Sequence, residues 1–187
     1  VREVRWLDER QERAWRALQF MQLRLTGRLA ADLAATSELS YADYLVLVAL
    51  TDRPGSRARL FELTEVLGWE KSRLSHQVAR MARRGLVKKE RCGEDRRGAF
   101  VVATETGRSA IEVAAPRHAA MVRCLFADVV TSGELDAITS AATKVLAALD
   151  DGSTGDVGST GDIGSTGDVG STGDDDGSRP EEEPPRG

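Results

Sequence analysis

From Gly152 the hexapeptide Gly-Ser-Thr-Gly-Asp-Val recurs at Gly158, Gly164 and Gly170, with Ile163 and Asp175 in place of Val in the second and fourth copies. A period of six can mark a parallel β-helix, and regularly spaced Asp can mark calcium binding. Yet one small apolar residue per repeat leaves almost nothing to bury, and Gly maximises the entropy of the unfolded chain. Residues 151–187 therefore read as a disordered acidic tail, and any core must be built from residues 1–150. That length suits one domain with a sizeable core.

The repeat also distorts the charge balance. The 187-residue chain carries a formal net charge of −4, which by itself argues against a nucleic-acid partner. The tail holds two Arg against ten acids, a net of −8, so the first 150 residues hold 24 basic and 20 acidic side chains, a net of +4. Between Arg53 and Arg97 lie thirteen basic residues and six acids, a net of +7. The positive charge is concentrated in one short stretch. A flexible acidic tail of about 36 residues reaches roughly 35 Å, far enough to compete with phosphate for that stretch.

Periodicity supplies the elements. Trp15, Leu18, Met21, Leu25, Leu29 and Leu33 step at three or four residues, a long amphipathic helix from about Asp8 to Ala35. Ser40 and Asp43 have capping-box spacing and open a second helix through Tyr44, Leu47 and Leu50, ended by Pro54-Gly55. Leu60, Leu63, Val66 and Leu67 form a short third helix stopped by Gly68. A fourth runs from about Lys71 to Arg84, with Leu74, Val78 and Met81 inward and Gly85 placed for a left-handed cap. Leu86–Arg91 and Ala99–Ala103 are β-prone and flank a charged turn, residues 93–98. Thr104 caps a fifth helix running to about Val130, which Pro116 should bend, and Leu135, Ile138, Ala142, Val145 and Leu149 mark a sixth. The expected fold class is mainly α with a small β-hairpin wing, a winged helix-turn-helix flanked on both sides by long amphipathic helices. Its segments are an N-terminal helix (1–36), the winged helix-turn-helix (37–104), C-terminal helices (105–150) and the tail (151–187).

Burial of Leu74, Val78 and Met81 is expected to turn Ser72, Arg73, Ser75, His76, Gln77 and Arg80 toward solvent. These side chains read base edges or grip phosphate, Arg favouring guanine and Gln adenine. Arg96 and Arg97 on the hairpin tip suit a narrow minor groove, and Asp95 can orient one guanidinium by a bidentate pair. An ordinary solvated helix face and a merely soluble turn are the competing readings of the same residues.

Several motifs together carry a family resemblance. They are Leu39-Ser40 before Tyr44-Leu45-Val46-Leu47, Leu63-Thr64-Glu65, Ser72-Arg73-Leu74-Ser75-His76-Gln77-Val78, Arg84-Gly85-Leu86-Val87, Asp95-Arg96-Arg97-Gly98 and Ala103-Thr104-Glu105-Thr106-Gly107. In order and spacing this set resembles the MarR family of bacterial transcriptional regulators across nearly all of residues 6–149, in a form common in actinobacteria. The resemblance implies a homodimer in which the winged helix-turn-helix is embedded in a helical dimerisation domain, 1–36 being the N-terminal dimerisation helix and 105–150 the C-terminal dimerisation helices. Its first, fifth and sixth helices interlock, the fourth helix enters the major groove and the wing the minor groove. It places the wing contacts at Asp95 and Arg97 and the helix contacts at Ser72, Arg73, Ser75, His76, Gln77 and Arg80. Glu70 departs from the Ser or Thr that often caps this helix, Thr64 from Ala, and Ala103 from Leu.

The resemblance also implies a small phenolic or aromatic acid as effector, held between the dimerisation helices and the winged domain. Trp15, Arg24, Tyr44 and His118 are the candidates, since aromatic walls plus a cation suit such an anion. Each also has an ordinary core, surface or interface reading. Cys92 and Cys124 are expected to be free thiols, and thiol-based sensing is an alternative that requires a lowered pKa. His76, His118 and the two Cys lack the clustering of a zinc motif, so no metal or other cofactor is expected. There is no Gly-rich phosphate loop, nucleophile elbow or paired carboxylate motif, so an enzyme is not expected. Without a membrane-length apolar run or signal-peptide order, a cytoplasmic protein with no membrane partner is expected. The expected function is a regulator, most simply a repressor, bound to a pseudo-palindromic double-stranded operator. The alternative is a winged-helix interaction module that has lost DNA binding.

Overall fold

The computed structural model describes residues 5–91 and 99–151. The chain divides into two compact units, 1–139 and 140–187. The first contains α1 (Glu9–Thr36), α2 (Tyr41–Thr51), β1 (Arg57–Arg59), α3 (Leu60–Leu67), α4 (Lys71–Arg83), β2 (Val87–Arg91), β3 (Ala99–Ala103) and α5 (Glu105–Val122). A further helix, α6 (Ser132–Asp150), runs across the boundary, and none of its residues is buried.

Local chemistry sets most of these ends. Asp8 and Gln11 cap each other's backbone N–H groups at the start of α1, and Ser40 and Asp43 do the same for α2. Gly68 ends α3 at φ +61°. Beyond Arg84, Gly85 takes φ +73°, its N–H donating to the Ala82 carbonyl and that of Leu86 to the Met81 carbonyl. This is the Schellman arrangement that satisfies the last free carbonyls of a helix.

The hairpin strands pair antiparallel, Val87 opposite Ala103 and Arg91 opposite Ala99. The sequence reading missed a third strand. β1 adds to the other edge of β3, Arg57 opposite Val102 and Arg59 opposite Phe100, giving the order β1-β3-β2. The fifth helix is also shorter than expected. Pro116 lies inside it without ending it, and after Val122 a five-residue π-turn (Arg123–Ala127) widens the coil, with the Asp128 N–H donating to the Arg123 carbonyl at 2.8 Å.

The core is the winged region's own. Val46, Leu47 and Leu50 of α2, Leu63 of α3, Leu74, Val78 and Met81 of α4, and Val87 and Val101 of the sheet are fully buried together, joined by Ile111 and Ala114 of α5. From α1 only Leu29 and Leu33 are buried.

α5 docks through a residue that lacks a side chain. A Cβ on Gly107 would lie 2.1 Å from the Leu86 carbonyl oxygen. Beside it, the Thr104 hydroxyl donates to the Gly85 carbonyl at 2.6 Å and accepts the Gly107 N–H at 3.1 Å. Because the obstructing atom is backbone, Gly107→Ala must displace α5 or the turn after α4. The expected cost is about 1–3 kcal/mol, as for overpacking of a core. Thermal unfolding should show it as a Tm lower by roughly 2–4 °C per kcal/mol.

Candidate nucleic-acid interface

α4 starts without help, since Glu70 sits at its N-cap and makes no side-chain capping bond. Its inward stripe holds it in place. Ser72, Arg73, His76 and Arg80 are exposed and Ser75 is half-buried, so five of the six expected helix contacts stand on or beside the open face. The Arg73 guanidinium lies 4.4 Å from the centre of the Trp69 ring, a cation–π contact that orients it at the start of the helix.

Gln77 corrects the sequence reading. It is 2% exposed, not turned to solvent. Its Nε2 donates to Asp43 Oδ1 at 2.6 Å, and its Oε1 accepts from Arg80. Both ends of the amide are engaged inside the protein, and its burial keeps the side chain away from a base edge.

Asp43 is 1% exposed and gathers three donors. Besides Gln77, its Oδ2 accepts the Ser40 N–H at 2.9 Å and an Arg84 Nη1–H at 2.6 Å. Arg84 also donates to the Glu38 carbonyl. One buried carboxylate thus caps α2, anchors the middle of α4 and holds the residue after its last turn. Sequence reasoning found Asp43 as a cap only. Its partners lie 34 and 41 residues away, and no local spacing announces them.

The sheet adds cations that the sequence reading counted without placing. Guanidinium carbons of Arg57 and Arg59 lie 4.6 and 5.3 Å from the centre of the Phe100 ring. Arg59, Lys71 and Lys89 come from β1, α4 and β2 to line one crevice of about 270 Å³ together with Leu60, Phe61 and Val101, and among the described residues no acid lines it. Lys88, on the other face of β2, is paired with Glu90 at 2.8 Å. The wing-tip candidates Asp95, Arg96 and Arg97, together with Cys92 and the tail, lie outside the described residues.

A family model for the MarR family matches residues 37–98. Comparison with curated proteins gives no match. Among solved structures, AbsC, a MarR family transcriptional regulator from Streptomyces coelicolor, is 36% identical at a TM-score of 0.74, over 79% of this chain and 99% of that one. The chain belongs to the MarR family. Sco3205, a second MarR family regulator from Streptomyces coelicolor, solved in complex with DNA, is 30% identical at a TM-score of 0.73, over 79% of this chain and 92% of that one. CouR from Rhodococcus jostii, bound to p-coumaroyl-CoA, shares the fold at 22% identity and a TM-score of 0.61, over 70% of this chain and 89% of that one. The three-stranded winged helix described above is thus the DNA-binding fold of a family of transcriptional regulators.

In this MarR family chain the four effector candidates do not converge. The Tyr44 and His118 rings meet at 4.3 Å, with Tyr41 6.2 Å from His118. Arg24 lines a different cavity, of about 550 Å³, with Met21, Arg28, Leu125 and Phe126. Trp15 lines neither place and is 53% exposed. Next to His118, Arg117 makes a bidentate pair with Asp32 of α1 at 2.6 and 3.1 Å. That bond holds the Asp32 carboxyl below its ordinary pKa and raises Arg117. Among the described residues no three His, Cys, Asp or Glu gather to hold a metal, and Cys124 is exposed.

Burial pushes the pKa of His118 below the usual 6.5, against a smaller upward pull from Asp32. The folded state therefore resists a proton that the unfolded chain accepts. This contribution to stability is fully present above the unfolded pKa and is lost as pH falls through the folded one. An NMR titration should place the His118 midpoint below 6.5, and stability should fall between pH 7 and 5 by an amount that His118→Phe removes. A midpoint at or above 6.5 would contradict the burial argument.

Proposed function

We propose that the chain is a homodimeric repressor that binds a pseudo-palindromic double-stranded operator and is released by a small aromatic acid. In this reading residues 37–104 are the DNA-binding domain, 1–36 and 105–150 the dimerisation helices, and 151–187 a separate acidic tail. The observation that carries it is the open face of α4, with Ser72, Arg73, Ser75, His76 and Arg80, beside the crevice of Arg59, Lys71 and Lys89. Such an arrangement offers donors to base edges and cations to the flanking phosphates. Asp95, Arg96 and Arg97 are assigned to the minor groove on their sequence alone.

Dimerisation is supported by apolar surface that a single chain leaves in water. Trp15, Leu18 and Met21 of α1, Val113 of α5, and Val145, Leu146 and Leu149 of α6 are all exposed. Apolar exposure on this scale marks an interface, and two-fold symmetry would place half-sites about one helical turn apart. An aromatic effector is supported by the Tyr44–His118 contact and by the p-coumaroyl-CoA bound to CouR.

The test is binding to a duplex from the gene's own upstream region, measured across salt concentrations, with the mass of the protein read by sedimentation. A dimer of the 20.2 kDa chain is expected, with log affinity falling linearly in log salt. Lys71→Ala and Lys89→Ala should each lower affinity on all sequences and flatten the slope by about 1. A folded dimer with no affinity for any duplex at low salt would leave the interaction-module reading in its place.

A further inference from the structure

We propose that Gln77 is a positioning residue, setting the base preference at the operator position that Arg80 meets, through a hydrogen-bonded relay that begins at Asp43. The proposal rests on α4 being the helix that enters the major groove.

The relay follows from what each group can donate or accept. A carboxylate only accepts and a guanidinium only donates, whereas a primary amide does both. Gln77 lies between one of each. Its Nε2 faces Asp43 at 2.6 Å and its Oε1 faces the Arg80 guanidinium. Turning the amide over would set oxygen against oxygen on one side and N–H against N–H on the other, so only one orientation is compatible with both neighbours. Asp43 is itself fixed by the Ser40 N–H and Arg84. The order Arg84, Asp43, Gln77, Arg80 therefore alternates donor and acceptor without a gap.

Of this series only the arginines approach solvent, and only Arg80 stands on the exposed face of α4. An Arg in open solvent samples many rotamers. Here one guanidinium nitrogen is engaged beneath the helix surface, while a guanidinium carries five N–H donors. Donors remain for a bidentate bond to guanine, the commonest specific contact in the major groove. Gln77 and Asp43 influence which base is chosen although neither reaches DNA.

The test uses the full-length protein and selection from a randomised operator library, comparing wild type, Gln77→Met, Arg80→Ala and the double variant. Methionine keeps the length of the side chain and removes both hydrogen bonds. Gln77→Met is expected to cut the preference at a single position per half-site by about tenfold, within the range set by one bidentate contact. It should move the affinity for non-operator duplex far less, and the double variant should discriminate no worse than Arg80→Ala. An unchanged preference in Gln77→Met, or losses that add in the double variant, would overturn the proposal.

A second measurement needs no DNA. Nitrogen-15 NMR of the Arg80 guanidinium should show slowed rotation in the free protein and free rotation in Gln77→Met; free rotation in both would overturn the relay. Should Gln77→Met fail to fold, Asp43→Asn preserves size while weakening the acceptor. It is expected to relax the same position, and a change confined to other positions would count against the proposal. If the folded wild type binds no duplex, the regulator reading fails and this one with it. Operator binding with unchanged preference in Gln77→Met removes this one alone.

Discussion

A charge without water is the constraint around which the winged region is organised. The Asp43 carboxylate is 1% exposed and is tolerable there only because each oxygen is claimed, one by Gln77 and the other by Ser40 and Arg84. The three donors belong to the start of α2, the middle of α4 and the residue that follows α4. Apolar packing of Leu47, Leu63, Leu74 and Met81 pulls the same helices together, but it is non-directional and allows a helix to slide or turn. The hydrogen bonds allow neither. The carboxylate thereby fixes the register of α4 against α2, while Arg84 ties in the Glu38 carbonyl of the α1–α2 junction.

How far this was legible depended on the range of the interaction involved. Helix ends governed by caps were readable from Ser40, Gly68, Gly85 and Thr104, since a cap acts over three or four residues. β1 was not readable, because Arg57-Ala58-Arg59 buries one alanine and owes its strand conformation to pairing with β3, more than forty residues later. The π-turn left no signal either. Gln77 shows a different failure. Positions 74, 77, 78 and 81 follow the i, i+3, i+4, i+7 spacing of one helix face, so the periodicity already placed it inward, and its polarity led the reading to place it outward. What the sequence withheld was the acceptor at Asp43. The effector candidates lie apart for a related reason, since aromatic and basic residue types carry no information about which cavity they line.

The positive charge between Arg53 and Arg97 is legible as a sum but not as a place. Arg59, Lys71 and Lys89 stand around one crevice because three separate elements bring them together, and no short contiguous window of sequence samples all three. The charged residues of that crevice belong to the winged region, whereas α1 and α6 each leave large apolar side chains exposed.

The joint at Gly85, Leu86, Thr104 and Gly107 has a mechanical consequence. The turn that closes α4 presents the Gly85 and Leu86 carbonyls to the first turn of α5, and the absent Cβ leaves no space to be taken up between them. α4, with 13 residues, is a rod about 20 Å long. Pivoting at that end by about 6° carries its far end through roughly 2 Å. A displacement of that size exceeds the tolerance of a hydrogen bond, so a joint without slack turns a small angular change in α5 into the gain or loss of contacts at the opposite tip.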